Sequence, residues 1–160
     1  VGEEDARWES WGSMARESMA DEILSTFLDD MWAAYDRVLE AGLSARDTLE
    51  AIVVESFRSI DRHRPAVVLY QNESKHLATS ERFHYLLDSQ RRFEEMWLSL
   101  LDRGVKEGAF RADLDRTLIY RFIRDTVWVA ANWYQHGGRL SADDIAKQYL
   151  AMFLEGIQAS

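Results

Sequence analysis

The chain has 160 residues, 47% of them hydrophobic, a size that fits one domain with a core of its own, and no apolar run reaches the ~18 residues of a membrane span. The formal net charge is −9 and the basic residues are scattered, which argues against nucleic-acid binding by this chain as written. The absence of cysteine excludes disulfides, thiolate metal ligands and cysteine nucleophiles, and together with an acidic start that lacks a signal-peptide pattern it fits a cytoplasmic protein.

One proline in the whole sequence predicts an all-α fold, and apolar residues recur at helical spacing in six segments. Residues 1–15 carry no clear apolar stripe and stay unassigned, so the predicted domain covers residues 16–160. Its first helix begins near Arg16 and should end near Gly42, whose missing Cβ suits a left-handed C-cap.

The next three helices are delimited by caps and by the proline. Ser44 is a good N-cap before an apolar stripe, so a second helix begins there. Pro65 ends that helix and starts a shorter third one, which runs to about Ala78. Thr79 or Ser80 then caps a long fourth helix.

The fifth predicted helix contains Leu118–Tyr134, opens after Asp113 or Asp115 and ends at Gly137–Gly138. It is apolar around nearly its whole circumference, which predicts burial on every side. A sixth helix begins after Ser141, which is followed by acidic residues in the first turn.

Three charged residues interrupt the apolar surface of the fifth helix. Arg121 and Asp125 are four apart and can pair along it. Arg124 has no carboxylate at its helical neighbours and lies one turn before Trp128. It therefore either binds an anionic, ring-shaped ligand or pairs with an acid on another helix, and the spacing alone leaves both alternatives open.

The last two helices, joined by a short Gly-Gly turn, are expected to form an antiparallel hairpin. Their large apolar residues exceed what one small bundle needs, which favours a homodimer that packs there. Ordinary core is the alternative. The predicted dimer residues are Phe122, Val129, Trp133, Tyr149 and Phe153.

Helices three to five supply aromatic walls and a few polar groups, as pockets for apolar ligands do. The alternative is that these are ordinary core aromatics at helical spacing. For Phe93 and Trp97, each taken singly, this alternative is the better interpretation. The candidate pocket residues are Tyr70, Gln71, Phe93, Met96, Trp97 and Trp128.

No arrangement of residues supports catalysis or a resident cofactor. Glu73 and His76 have the Glu-x-x-His spacing of a helical metal site, but a di-iron bundle needs two such pairs and further carboxylates. The signatures HExxH, GxSxG, the P-loop and GxGxxG are absent. We therefore expect a protein that is not an enzyme and that holds no metal.

Several segments of the sequence are similar to segments of a known family. They are GVKEGAFRADLD, LYQNESKHL, SERFHYL, YRFIRDTVWVA, NWY and AKQYLAMFLEGI. These segments resemble the C-terminal half of TetR-family transcriptional regulators, and within that family the repressors of steroid-ring catabolism genes. The similarity runs from about Glu17 to Ile157. The resemblance implies an all-helical bundle of about six helices that dimerises through the last two helices.

The resemblance also implies a small-molecule effector and its contacts. The implied inducer is a coenzyme A (CoA) thioester of a bicyclic steroid remnant, an indanedione propanoate. The Arg and Trp that contact it in the family fall on Arg124 and Trp128, and the likeness extends less directly to Tyr70 and Gln71.

The start of the chain departs from the family pattern. Family members begin with a three-helix DNA-binding domain, which residues 1–15 do not resemble. We therefore expect DNA binding only through an N-terminal domain that is not recognisable in this chain. A stand-alone partner, which forms mixed dimers with a full-length relative and titrates it away from DNA, is the alternative to a repressor.

Overall fold

The computed structural model describes residues 2–160, without the side chains of residues 4, 5 and 8–10. Over that range the fold is all-α, as predicted, with six α-helices and two short 3₁₀ helices at Glu81–Phe83 and Val129–Asn132. The α-helices are α1 (Gly2–Glu40), α2 (Ala45–Arg62), α3 (Arg64–Leu77), α4 (Tyr85–Lys106), α5 (Arg116–Trp128) and α6 (Ala142–Ile157).

Several helix boundaries lie where the local sequence predicts them. Gly42 ends the turn after α1 with a φ of +70°, which glycine adopts without strain. Ser44 caps α2 by accepting a hydrogen bond from the backbone N–H of Asp47 at 3.1 Å. Ser141 caps α6 in a full capping box, in which its side chain and that of Asp144 exchange hydrogen bonds with each other's backbone N–H.

Two helix starts differ from the prediction. Helix α1 begins at Gly2 rather than near Arg16, and its first turns are exposed where their side chains are described. The prediction relied on an apolar stripe, which marks the buried face of a helix. The first turns of α1 lack such a stripe, because their described side chains lie in solvent. Helix α4 begins at Tyr85, because the residues after Ser80 first form the 3₁₀ helix Glu81–Phe83.

The fifth helix is shorter and more exposed than predicted. It ends at Trp128 and continues as a 3₁₀ helix only to Asn132. Leu118 and Phe122 are about half exposed, so burial on every side is wrong for a single chain. The expected Gly-Gly hairpin is wrong as well, because residues 133–141 separate the two helical segments and α6 packs mainly on α2.

The core forms around α2, which packs against α1, α4, α5 and α6. Its apolar stripe is fully buried, as the spacing of those residues predicts. The stripe consists of Leu49, Ile52, Val53, Phe57 and Ile60. Among residues 2–160, no helix combines the length and the apolar composition that a membrane crossing requires.

Candidate ligand-binding site and dimer face

A cluster of aromatic rings lies between α1, α4 and α5, with Phe93 at its centre. The centroid of the Phe93 ring is 6.1 Å from that of Tyr120 and 6.3 Å from those of Tyr35, Trp97 and Trp128. These separations are those of favourable edge and tilted aromatic contacts. The aromatic cluster, as we call it, consists of Phe27, Tyr35, Phe93, Trp97, Tyr120 and Trp128.

Trp128 packs against Phe27 of α1, and Phe27 in turn contacts His63 between α2 and α3. The ring of Trp128 is half-buried and packs edge-on against Phe27 at 5.9 Å. The other neighbour of Phe27 is His63, with ring centroids also 5.9 Å apart. The Nε2 atom of His63 lies 2.9 Å from the carboxylate of Asp30, one turn further along α1. Two successive turns of α1 therefore contact the surroundings of Trp128.

Arg124 lies at the exposed rim of the aromatic cluster. Its guanidinium is 5.4 Å from the centroid of the Tyr120 ring, and its Nε donates to Asp125 Oδ1 at 2.8 Å. The expectation that Arg124 has no local carboxylate, and that Asp125 pairs with Arg121, is therefore wrong. Helical spacing places adjacent residues on different faces, but the long arginine side chain reaches the carboxylate next to it.

The ion pair with Asp125 holds the Arg124 guanidinium only weakly. Both side chains are largely exposed, and exposed ion pairs of this kind contribute ~0–1 kcal/mol. An anionic group on a ligand would therefore replace Asp125 at little cost. The guanidinium remains available at the rim.

The other predicted pocket residues fall into two groups. Tyr70 is half-buried on α3 and packs against the core, and burial raises the pKa of its hydroxyl. Gln71 is exposed on α3. Met96 is half-buried and lines a groove of about 440 Å³ between α1 and α4, beside Trp32.

The rings of the aromatic cluster contact one another. The groove at Met96 and a groove of about 800 Å³ between α2 and α6 both lie away from Arg124 and Trp128. A ligand that binds between two of these contacting rings must separate them. The sequence did not single out Phe27, Tyr35 and Tyr120 as site residues, because their helical spacing indicates only burial.

Part of the predicted dimer face is exposed in the single chain. Phe122, Val129 and Trp133 are 51%, 43% and 57% exposed, and Met152 on α6 is 74% exposed. Tyr149 is buried instead. Its hydroxyl hydrogen-bonds with Thr126 at 2.8 Å, and its ring lies between Phe57 and Phe153.

The acidic and histidine side chains were predicted to form no metal site. Within the described side chains, no group of three or more histidine and carboxylate residues lies close enough to hold a metal ion. Glu73 and His76 are both exposed on α3. The chemistry available at the aromatic cluster is binding: apolar rings inside and one guanidinium at the rim.

Comparison with known proteins gives the family. A family model described as tetracyclin repressor-like, C-terminal domain, matches residues 42–157. The HTH-type transcriptional repressor KstR2 of Rhodococcus jostii is 48% identical over 143 residues, which cover 89% of this chain and 70% of the relative. KstR2 of Mycobacterium tuberculosis is 42% identical over 143 residues, which cover 89% and 72%. Such relatives agree with the prediction that the chain is not an enzyme.

Solved structures give the same result. The ketosteroid transcriptional regulator KstR2 of Mycobacterium tuberculosis has a TM-score of 0.87 and 40% identity, covering 93% of this chain and 79% of that chain. The probable transcriptional regulatory protein RHA5900 has a TM-score of 0.84 and 47% identity, covering 91% and 80%. The chain therefore belongs to the TetR family of transcriptional repressors, and residues 42–157 match the C-terminal domain of that family.

Proposed function

We propose that this chain is the effector-binding and dimerisation part of a TetR-type repressor of steroid-catabolism genes. In the proposal, a CoA thioester of a steroid-ring remnant releases the repressor from its operator in the cytoplasm. The observation that carries it is the aromatic cluster with Arg124 at its rim. The relatives support the steroid assignment, since they are named KstR2 and one solved relative is described as a ketosteroid regulator.

The chemistry of the cluster suits the two ends of such a ligand. The rings of Phe93, Tyr120 and Trp128 offer apolar contact area for a bicyclic ring system. The Arg124 guanidinium would meet the charged or carbonyl-bearing part, where its planar fork can donate two parallel hydrogen bonds. Because Arg124 is exposed, the polar part of the ligand keeps contact with water.

The exposed apolar residues of α5, of the segment Val129–Trp133 that follows it and of α6 support a homodimer. Phe122, Val129, Trp133 and Met152 expose large side chains that a soluble single chain has no reason to expose together. In the proposal, two copies bury these residues against each other. Effector binding would then favour a dimer geometry in which two DNA-binding heads no longer match successive major grooves.

The test is calorimetric titration of the chain with the indanedione propanoyl-CoA thioester, against free CoA and the free acid as controls. Two substitutions at the site, Arg124→Met and Trp128→Leu, should each weaken thioester binding about tenfold or more, since each removes a direct contact. The matched controls are Arg46→Met and Trp11→Leu, because both residues are exposed and lie away from the site. Arg46 lines the groove between α2 and α6, and Trp11 lies near the start of α1. They should retain wild-type affinity.

Two results would contradict the assignment. Equal affinity of the wild type for free CoA and the thioester would show that the acyl group is not recognised. Unchanged thioester affinity in both Arg124→Met and Trp128→Leu would show that the ligand binds elsewhere.

A further inference from the structure

We propose that the indole N–H of Trp97 is a hydrogen-bond donor for an uncharged oxygen on the buried end of the effector, such as a ring ketone. This inference rests on the proposed function and names a polar contact inside the same site. Trp97 is only 1% exposed, and its Nε1 has no hydrogen-bond partner among the described residues.

An unpaired buried donor is unusual in a native protein. Most buried polar atoms have a partner, and each exception needs an explanation. In this chain, the Nε1 of Trp32 donates to Ser89 Oγ at 2.9 Å, and the buried hydroxyl of Tyr149 hydrogen-bonds with Thr126. The donor of Trp97 therefore differs from comparable groups in the same core.

Among the side chains that the structure describes, the other buried polar atom without a partner is the hydroxyl of Ser59. A serine hydroxyl on a helix can rotate towards the carbonyl one turn earlier, so a small movement gives it an acceptor. The N–H of an indole is fixed in the ring plane, and it can only donate. It needs an acceptor brought to it, and a bound ligand is one source.

The ring of Trp97 belongs to the aromatic cluster of the proposed site. Its ring lies 6.3 Å from Phe93, whose other neighbours include Tyr120 and Trp128. A carboxylate or phosphate among these rings would be costly to desolvate, so the acceptor should be uncharged. The ligand is then oriented, with its charged end at Arg124 and a carbonyl oxygen at Trp97.

The test compares two ligands on three proteins. The ligands are the indanedione propanoyl-CoA thioester and the same thioester with both ring ketones replaced by methylene groups. The proteins are the wild type, Trp97→Phe and the matched control Trp32→Phe, which removes a buried indole whose N–H already has a partner. Calorimetric titration gives the ratio of the two affinities for each protein.

The expected result is a preference that depends on Trp97 alone. The wild type and Trp32→Phe should bind the diketone about tenfold more tightly than the methylene analogue. In Trp97→Phe the preference should fall to about twofold or less, because the ketone then loses water without gaining a donor. A second variant replaces Trp97 by its isostere with sulfur in place of N–H, which keeps the ring volume if Trp97→Phe fails to fold.

Three outcomes would overturn the inference. A wild type that binds both thioesters equally has no ketone-specific donor. A preference that persists unchanged in Trp97→Phe or in the sulfur isostere assigns the donor to another residue. If the wild type binds neither thioester, the proposed effector is wrong as well, and this result separates the failure of the proposed function from that of Trp97 alone.

Discussion

Replacement of Gly104 by alanine should destabilise the protein, because the ring of Phe110 occupies the space of the new side chain. A Cβ on Gly104 would lie 2.0 Å from Phe110 Cδ2 and 2.2 Å from Cε2, far inside the ~3.5–4.0 Å of an ordinary carbon contact. The ring cannot retreat easily. Phe110 is 5% exposed, and the next residue, Arg111, donates its backbone N–H to Ile157 O at 2.8 Å.

Two opposing effects set the magnitude for Gly104→Ala. Alanine in a helix interior is favoured over glycine by ~1 kcal/mol. Overpacking of a close-packed core typically costs ~1–3 kcal/mol, and a displaced phenylalanine also loses part of the ~3–5 kcal/mol that its complete truncation would cost. We therefore expect a net loss of about 2 kcal/mol in the free energy of unfolding.

The assay is urea unfolding at one fixed protein concentration, since the stability of a dimer depends on that concentration. The matched control is Gly156→Ala in α6, where a Cβ meets no heavy atom within 4 Å of it in the single chain. This control should be unchanged or more stable by up to ~1 kcal/mol. If Gly104→Ala proves as stable as the wild type, the reasoning from the Phe110 contact is refuted.

Three further predictions concern a cap, a carboxylate and the dimer face. Ser141→Ala removes the capping box of α6 and should lower the free energy of unfolding by ~1 kcal/mol; no loss would show that the cap contributes nothing. Hydrogen bonds from the Tyr134 hydroxyl and, to a smaller extent, from His136 lower the pKa of the Asp61 carboxyl. The stability that this carboxylate contributes is therefore present above its unfolded pKa of ~3.9 and is lost as the pH falls through the lower folded pKa. On acidification from about pH 5 to 3, the free energy of unfolding of Asp61→Asn should therefore fall less than that of the wild type. An equal fall in the two proteins, measured by urea unfolding, would contradict this. Trp133→Asp should shift the sedimentation coefficient from dimer to monomer at micromolar concentration, and an unchanged dimer would place the interface elsewhere.

The helix boundaries that the sequence predicts correctly depend on short-range chemistry. The hydroxyls of Ser44 and Ser141 accept from backbone N–H groups three residues later, and Gly42 needs only its own missing Cβ. None of these contacts requires knowledge of the rest of the chain. The apolar stripe of α2 is similarly local, because helical spacing alone gathers it on one face.

The end of the fifth helix, which was predicted too late, depends on contacts distant in sequence. The apolar run of the fifth segment continues past Trp128, but Arg64 of α3 donates its Nε to the carbonyl of Ala131 at 2.8 Å. Tyr134 hydrogen-bonds with Asp61 of α2. Apolar spacing indicates which residues are buried, whereas the end of a helix also depends on which partners its carbonyls find. Those partners lie more than sixty residues away.

The candidate site shows the same division between local and distant information. The sequence placed Arg124 and Trp128 one turn apart, and the structure keeps them at the aromatic cluster. The pairing of Arg124 with Asp125 was missed, because helical geometry separates the backbone positions but does not limit how far an arginine reaches. The position of Phe27 against Trp128 could not be predicted, since it depends on how α1 crosses the bundle.

Phe27 joins Trp128 of the proposed site to α1. Its ring lies at 5.9 Å from both Trp128 and His63, and His63 also contacts Asp30 on the next turn of the same helix. Because the rings of Phe27 and Trp128 are in contact, an effector that binds between them under the proposed function must separate them. Close-packed interiors pass such a displacement on to neighbouring elements rather than absorbing it. The axis of α1 is therefore the part of the fold whose position should depend most directly on whether the site is filled.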